Sequence, residues 1–286
     1  QLGLSLVFNG AIYNYPELRV ELQALGYQFF SEGDTEVLLK GYHAWGEALL
    51  PKLNGMFAFA IWERERKSLF IARDRLGIKP LYLSLTDQRL RFASTLPALL
   101  QGGDIDTTLD PVALNHYLNF HAVVPAPRTL LRGVRKLPPA SWMRIDGNGA
   151  VEQQSWWQLN FETPRDNIRL ELPEWRDKVL DSLRNAVSIR QRAAVDVGVL
   201  LSGGVDSSLL VGLLRETGVE NLATFSIGFD DAGGERGDEF QYSDLIARHY
   251  QTNHHQLRIG EGEIIAQLPA AFRAMSEPMV SHDCIA

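Results

Sequence analysis

At 286 residues the chain is long enough for two domains, each with its own core. A net charge of −7 argues against a nucleic-acid-binding surface, and apolar runs broken by charge or glycine argue against a membrane span. The single cysteine, Cys284, excludes an internal disulfide framework; with no secretory signal in view, it suits a reducing, cytoplasmic compartment.

The first half is rich in short β signals. Residues 4–8 read as a strand ending at Asn9-Gly10. Residues 16–25 read as a helix, with Leu18, Leu22 and Leu25 on one face and Pro16 near its first turn. Asp34 suits the N-cap of a second helix, whose apolar side carries Val37, Leu38, Tyr42 and Trp45. Residues 56–62 and 68–72 read as a hairpin around a charged turn, and 81–83 with 90–93 as another pair. The sum is an α+β layout with mostly antiparallel strands. Prolines punctuate residues 100–170, and the domain junction falls near 160–172.

The second half alternates. Trp175, Val179, Leu183 and Val187 recur at helical spacing. Strands at 195–201, 222–228 and 255–259 then alternate with helices at 208–215, 239–250 and 261–274. That order implies a parallel α/β sheet, whose ligands bind beyond the carboxyl ends of the strands.

At such an end stands Ser202-Gly203-Gly204-Val205-Asp206-Ser207-Ser208. Glycines let the backbone approach a ligand, the next helix opens with unpaired N–H groups, and three serines add hydroxyls. This suits phosphate or pyrophosphate. Asp206 would repel a bare phosphate and makes sense with a divalent metal between them. No lysine follows the glycines, so this is not the common P-loop; it resembles the pyrophosphate loop of the ATP pyrophosphatase family.

Asn9-Gly10 can supply a side-chain amide and a backbone N–H to one point, as an oxyanion hole needs, though the pair read alone is a turn. Three further stretches accompany it: Gly33-Asp34-Thr35-Glu36, residues 54–60, and residues 72–82 with Arg73-Asp74-Arg75. In this order the four resemble the class II glutamine amidotransferase domain. With the pyrophosphate loop behind them, the whole chain resembles a glutamine-hydrolysing asparagine synthetase. Residues 117–139 echo that family's connecting segment. The resemblance implies an antiparallel layered sandwich of the Ntn-type glutaminase over residues 1–160, lacking its first part. A linker at 161–172 would follow. Residues 173–286 would be an α/β parallel-sheet ATP-pyrophosphatase domain of the adenine-nucleotide hydrolase-like kind, lacking its last part.

Carried over by position, Asn9 and Gly10 would form the oxyanion hole and, with Asp34, bind glutamine, Asp34 taking the α-amino group. Ser202, Gly203, Gly204, Ser207 and Ser208 would cradle ATP, Asp206 would ligate Mg²⁺, and Leu200 and Ile227 would contact adenosine. The bland reading of Leu200 and Ile227 is sheet core. The implied function is an ATP-dependent ligase that adenylates a carboxylate and amidates it with ammonia from glutamine. The implied partners are small molecules alone, with no nucleic acid or membrane and room for a homo-oligomer. The family's nucleophile, an N-terminal cysteine, would lie upstream of Gln1, and a later acidic segment beyond Ala286; a fragment cut at both ends would lack both half-reactions. Cys284 lies in the wrong half to replace that nucleophile and reads as a small buried residue.

Ala11 stands where the family has a glutamate. Together with residues 119–124 and 276–283, it is closer to the N-acetylglutaminylglutamine amidotransferase branch, so the acceptor is either aspartate or that capped dipeptide. The alternatives are a non-catalytic ATP-binding module and another pyrophosphate-loop enzyme. The amidotransferase half and the acidic charge disfavour tRNA thiolation, and domain order disfavours GMP synthesis. His254 and His255 point to opposite faces of a strand, cannot easily share an ion, and read as solvated. Asp230, Asp231, Glu235, Asp238 and Glu239 read as a solvated acidic loop on the ligand side.

Overall fold

The apolar run at 55–62 becomes the spine of the first half in a computed structural model, which describes residues 2–162, 170–192, 197–230 and 237–278. Strands β1 (Leu4–Ile12), β2 (Gly55–Glu63) and β3 (Ser68–Arg73) are followed by β4 (Tyr82–Thr86), β5 (Arg89–Ala93), β6 (Arg135–Lys136), β7 (Ser141–Ile145) and β8 (Val151–Ser155). They form two antiparallel sheets, ordered β1-β2-β3-β7-β8 and β5-β4-β6.

Side chains alternate across β2. Phe57, Phe59 and Ile61 face helices α1 (Tyr15–Ala24) and α2 (Asp34–Trp45), where they join Leu18, Leu22, Val37, Leu38 and Leu49. Ala58 and Ala60 face the other way and meet Leu81, Leu83 and Leu137 at the second sheet. Both faces are covered, so the strand is apolar nearly throughout, and the alanines let the sheets approach. Burying each of Phe57, Phe59 and Phe70 contributes roughly 2–3 kcal/mol. Helices α3 (Leu96–Leu100) and α4 (Pro111–Asn119) complete this α+β layered sandwich.

Among the boundaries that differ from the sequence reading, two bear on the site. β1 does not stop at Asn9-Gly10 but continues to Ile12, with Asn9 opposite Ala58 and Gly10 opposite Phe57. Gly10 makes this pairing possible, because a Cβ there would lie 2.2 Å from the Met56 carbonyl oxygen. Asp34 is not the N-cap of α2. Gly33 holds that position and Asp34 opens the helix, its carboxylate turned to β1 instead.

The second half carries α5 (Leu172–Arg190), β9 (Gly198–Leu200), α6 (Val205–Glu216), β10 (Ala223–Phe229), α7 (Phe240–Tyr250), β11 (Asn253–Ile259) and α8 (Glu261–Ala274). Its sheet is parallel, ordered β11-β10-β9, with Leu200 opposite Phe225 and Ile227 opposite Leu257. Val199, Leu201, Val211, Leu214 and Leu222 make a core with Val187 and Ala247. The described residues fall into two compact units, one within Gln1–Asn160 and Phe272–Val280, the other within Phe161–Ala271 and Ser281–Ala286. Among the described residues no helix is long and apolar enough to cross a membrane.

Arg73 and Asp74 explain how the first unit holds its turn after β3. Both are buried, and each spends its charge on the backbone. Asp74 accepts from the N–H groups of Phe57 (3.1 Å), Leu76 (3.1 Å), Ile78 (2.9 Å) and Lys79 (3.0 Å). Arg73 donates to the carbonyls of Lys79 (2.7 Å), Leu137 (2.6 Å) and Gly77 (2.7 Å). Asp74→Asn replaces one acceptor oxygen by a donor and sets it against backbone donors. Urea unfolding of this variant should show a loss of roughly 3 kcal/mol; a loss near zero would mean those N–H groups have other partners.

Candidate functional site

Strand parity places the first group of site residues. Phe57 N–H donates to the Asp74 carboxylate and Phe57 C=O accepts from Asp74 N–H (2.8 Å), so both backbone groups of Phe57 face β3. Gly10, opposite Phe57, therefore sits in a non-hydrogen-bonded pair, with its own N–H and C=O directed off the outer edge of β1. Ile12, two residues on, has the same parity, and its N–H indeed leaves the sheet to donate to Asp34 Oδ2 (2.9 Å). Tyr13, of opposite parity, donates inward to the Asn54 carbonyl (2.8 Å).

Gly10 and the Asp34 anchor thus lie on one strand edge, about 7 Å apart along it. Asp34 keeps a second oxygen, Oδ1, at 3.4 Å from the Thr35 hydroxyl. Asn9 lines a cavity of about 250 Å³ between the two sheets, with Val7, Ala58, Leu81 and Phe92 among its walls. Asp34, 22 residues beyond Ile12 in sequence, is brought to the end of β1 that carries Asn9 and Gly10. This edge can offer N–H groups and a carboxylate to one small zwitterion.

Glu36 holds the approach to Asp34 in place. It is buried and accepts from Ser31 N–H (2.8 Å), the Ser31 hydroxyl (2.6 Å) and Phe30 N–H (3.2 Å), with Lys40 Nζ beside it. Burial pushes its carboxyl up, but the bonds from Lys40, Ser31 and Phe30 outweigh burial and bring it down to about 2.

The second group surrounds the end of β9. Leu201 N–H still donates to the Phe225 carbonyl (2.7 Å). Gly203 then takes a φ of 87°, and a Cβ there would lie 2.5 Å from Tyr242 Cβ and 2.6 Å from Ser243 N. Glycine is needed both for the turn and for its passage against α7. Gly204 is the N-cap of α6 and has no side chain to cap the first N–H groups, which lack intrahelical partners. Ser202 Oγ accepts from Gly204 N–H (3.3 Å) and lies 3.1 Å from Ser207 Oγ. The Ser207 and Ser208 hydroxyls both reach the Gly204 carbonyl (3.3 and 2.7 Å). Asp206 is exposed in the first turn of α6, near its positive end.

Beside this loop lies a cavity of about 270 Å³ walled by Ser202, Ser226, Ile227, Asp238, Glu239 and Phe240, among others. Ile227 lines it. Leu200 does not; it is 76% exposed on the sheet face that also bears Phe225. Of the acidic loop, Asp238 is paired with Arg258 rather than free, while Asp231 and Glu235 lie outside the described residues, as does Cys284. Among the described residues no three His, Cys, Asp or Glu side chains cluster as a metal cage. His254 departs from the solvated reading: it is half-buried against Thr224 and Ser226, while His255 stacks on Phe225 across the sheet.

Both halves of the chain are similar to known proteins. Residues 1–157 match the model of the glutamine amidotransferase domain, and residues 178–286 that of asparagine synthase. The chain belongs to the glutamine-hydrolysing asparagine synthetase family. It is 40% identical over 80% of its length to asparagine synthetase [glutamine-hydrolyzing] 1 of Bacillus subtilis, and 36% identical over 96% to a putative asparagine synthetase of Mycobacterium bovis. It spans 35% and 42% of those proteins. Among solved structures, glutamine phosphoribosylpyrophosphate amidotransferase of B. subtilis aligns with 88% of the chain and 70% of its own at 14% identity, with a TM-score of 0.39, too loose a likeness to carry weight.

One cluster in this family member had no signal in the sequence. Lys136 Nζ donates to Glu277 (2.8 Å) and to the Val124 carbonyl (2.7 Å), and the Tyr82 hydroxyl lies 3.4 Å from Glu277. Burial and the Glu277 charge raise the Tyr82 hydroxyl above its ordinary value. Glu277 lies 141 residues from Lys136 and 195 from Tyr82, beyond any local pattern.

The Glu36 geometry gives a pH dependence with a definite sign. Its folded value of about 2 lies below the ordinary 4.5, so its contribution is complete above about pH 5 and disappears as pH falls toward 2. Glu36→Gln should cost roughly 2 kcal/mol at neutral pH. The gap between wild type and variant, read from urea midpoints, should narrow steadily below pH 4.5; a gap independent of pH would assign the effect to packing.

Proposed function

We propose that the intact protein is a glutamine- and ATP-dependent amidotransferase of asparagine-synthetase type. The observation that carries this reading is the parity of β1, which directs Gly10 N–H off the same edge on which Ile12 N–H seats the Asp34 carboxylate. Asp34 would receive the ammonium of glutamine. When a thiolate of the intact protein attacks the side-chain carboxamide, the new oxyanion would be met by Gly10 N–H and the Asn9 amide. Ammonia would leave, and water would release glutamate from the thioester.

In the second unit, the N–H groups at the start of α6 and the hydroxyls of Ser202 and Ser207 would hold the phosphates of ATP. The acceptor carboxylate would attack the α-phosphorus, expelling pyrophosphate. Ammonia would then displace AMP to leave the amide. Adenylation turns a poor electrophile into a good one, and an ammonia molecule kept from water stays unprotonated and nucleophilic. Asp206, an exposed carboxylate in the first turn of α6, is the protein group that would hold Mg²⁺ against the nucleotide phosphates. Such an ion would neutralise phosphate charge beside Asp206. Asp206→Ala should therefore lower substrate-dependent pyrophosphate release by at least about 100-fold. Pyrophosphate release at the wild-type rate would remove this loop from the reaction.

For the acceptor we favour a capped glutamine dipeptide over aspartate, because Ala11 replaces the family's glutamate and residues 119–124 and 276–283 resemble the N-acetylglutaminylglutamine amidotransferase branch more closely. The intact enzyme, given ATP, ammonia and either aspartate or N-acetylglutaminylglutamine, should form AMP with the dipeptide at least about ten-fold faster. Turnover of aspartate with none of the dipeptide would leave plain asparagine synthesis; AMP from neither would favour a nucleotide-binding module.

A further inference from the structure

We propose that His254 is a positioning residue for the phosphate-binding loop, fixing the carbonyl of Leu201 through the hydroxyl of Ser226. This rests on the reading of residues 202–208 as an ATP site. Leu201 is the last residue held by the sheet before the loop begins, and it is clamped on both sides. Its N–H donates to Phe225 O (2.7 Å), and its C=O accepts from Ser226 Oγ. The peptide unit is planar, so holding the Leu201 carbonyl also sets where Ser202 N–H points.

With His254 taken as the neutral imidazole, the protons in this cluster can be placed by elimination. A carbonyl only accepts, so the one hydroxyl proton of Ser226 goes to Leu201. Ser226 Oγ can then only accept from His254 Nε2, 3.4 Å away, and Nε2 carries the hydrogen. In the neutral ring Nδ1 is the acceptor, and it lies 2.8 Å from Thr224 Oγ1, which donates to it. Thr224 in turn accepts from Thr252 Oγ1, 2.7 Å away. A one-way chain runs from Thr252 through Thr224, His254 and Ser226 to Leu201.

Thr224, Ser226 and Leu201 are buried, so an unpaired member has no water to replace its partner. In this chain the imidazole alone offers a fixed donor and a fixed acceptor on opposite sides of one rigid ring. Without it, Ser226 loses the contact that holds its oxygen, and its hydroxyl is free to turn from the Leu201 carbonyl. Nothing else at this end of β9 holds that carbonyl through a side chain among the described residues. Asp244 and Arg248 of α7 and Gln256 of β11 wall the cavity beside His254, but Asp244 is taken by Gln256 Nε2 (2.8 Å) and Arg248 (3.4 Å).

The test is ATP binding by calorimetry to the intact protein, with His254→Leu, His254→Gln, Ser226→Ala and the Leu/Ala double variant. His254→Leu should weaken ATP binding roughly ten-fold. His254→Gln, whose amide also donates and accepts, should stay within about three-fold of wild type. Ser226→Ala should weaken binding as His254→Leu does, and the double variant should be no weaker than either single, since both break one chain. Wild-type affinity in His254→Leu, or additive losses in the double variant, overturns the proposal. If the leucine variants fail to fold, Ser226→Ala and His254→Gln decide: unchanged affinity in the first, or a ten-fold loss in the second, overturns it. A wild-type protein that does not bind ATP at all would instead overturn the assignment of the loop.

Discussion

The hydrogen bonds between Phe57 and Asp74 decide which way a neighbouring strand presents its backbone. Because both polar groups of Phe57 are taken on the β3 side, Gly10 across from it must face outward. One residue of slip in that register would turn the Gly10 N–H into the sheet and the Ile12 N–H away from Asp34. The register is protected from both sides of β2. On one face Phe57, Phe59 and Ile61 are locked among helix leucines, and on the other Ala58 and Ala60 lie against the second sheet. A one-residue slip of β2 itself would exchange phenylalanine for alanine across both cores at once. The edge chemistry is therefore secured by packing far larger in energy than any bond at the edge itself.

The second unit solves the same problem with less. Its strand β9 is short, and the loop that follows bends at once through Gly203. What orients the loop is local: a backbone bond on one side of Leu201, a hydroxyl on the other, and close contact of Gly203 with the start of α7. The loop's geometry depends on polar groups being fully paired, which is the condition under which a buried network specifies a single arrangement.

Much of this was legible in the sequence where periodicity and turn chemistry agree. The hairpin around residues 63–67, the glycine loop and its helix, and the strand-helix alternation after residue 197 all follow from patterns only a few residues long. The sequence misjudged the points where distant residues override local preference. Asn9-Gly10 looks like a turn because asparagine and glycine favour turns, yet β2 extends the strand through it. Asp34 looks like a helix cap, but Ile12 N–H from another element competes for its carboxylate. His254, on a polar strand, carries no hint that Thr224 and Ser226 stand opposite it. Lys136 and Glu277 have no shared pattern of any kind.

The two groups of site residues share one physical device. Each presents backbone N–H groups with a carboxylate nearby. At β1, Asp34 is tied by Ile12 two residues beyond Gly10, so its charge can meet an ammonium without opposing an oxyanion at Gly10. At α6, Asp206 stands in the first turn, where the helix end already favours negative charge and the remaining repulsion calls for a cation. Neutral donors would hold the anion in both places, and they cost no desolvated positive charge when the site is empty. Their directions, however, are only as fixed as the backbone that carries them. That makes the residues behind the backbone, Asp74 in one unit and Ser226 in the other, as much a part of each site as the residues a ligand would touch.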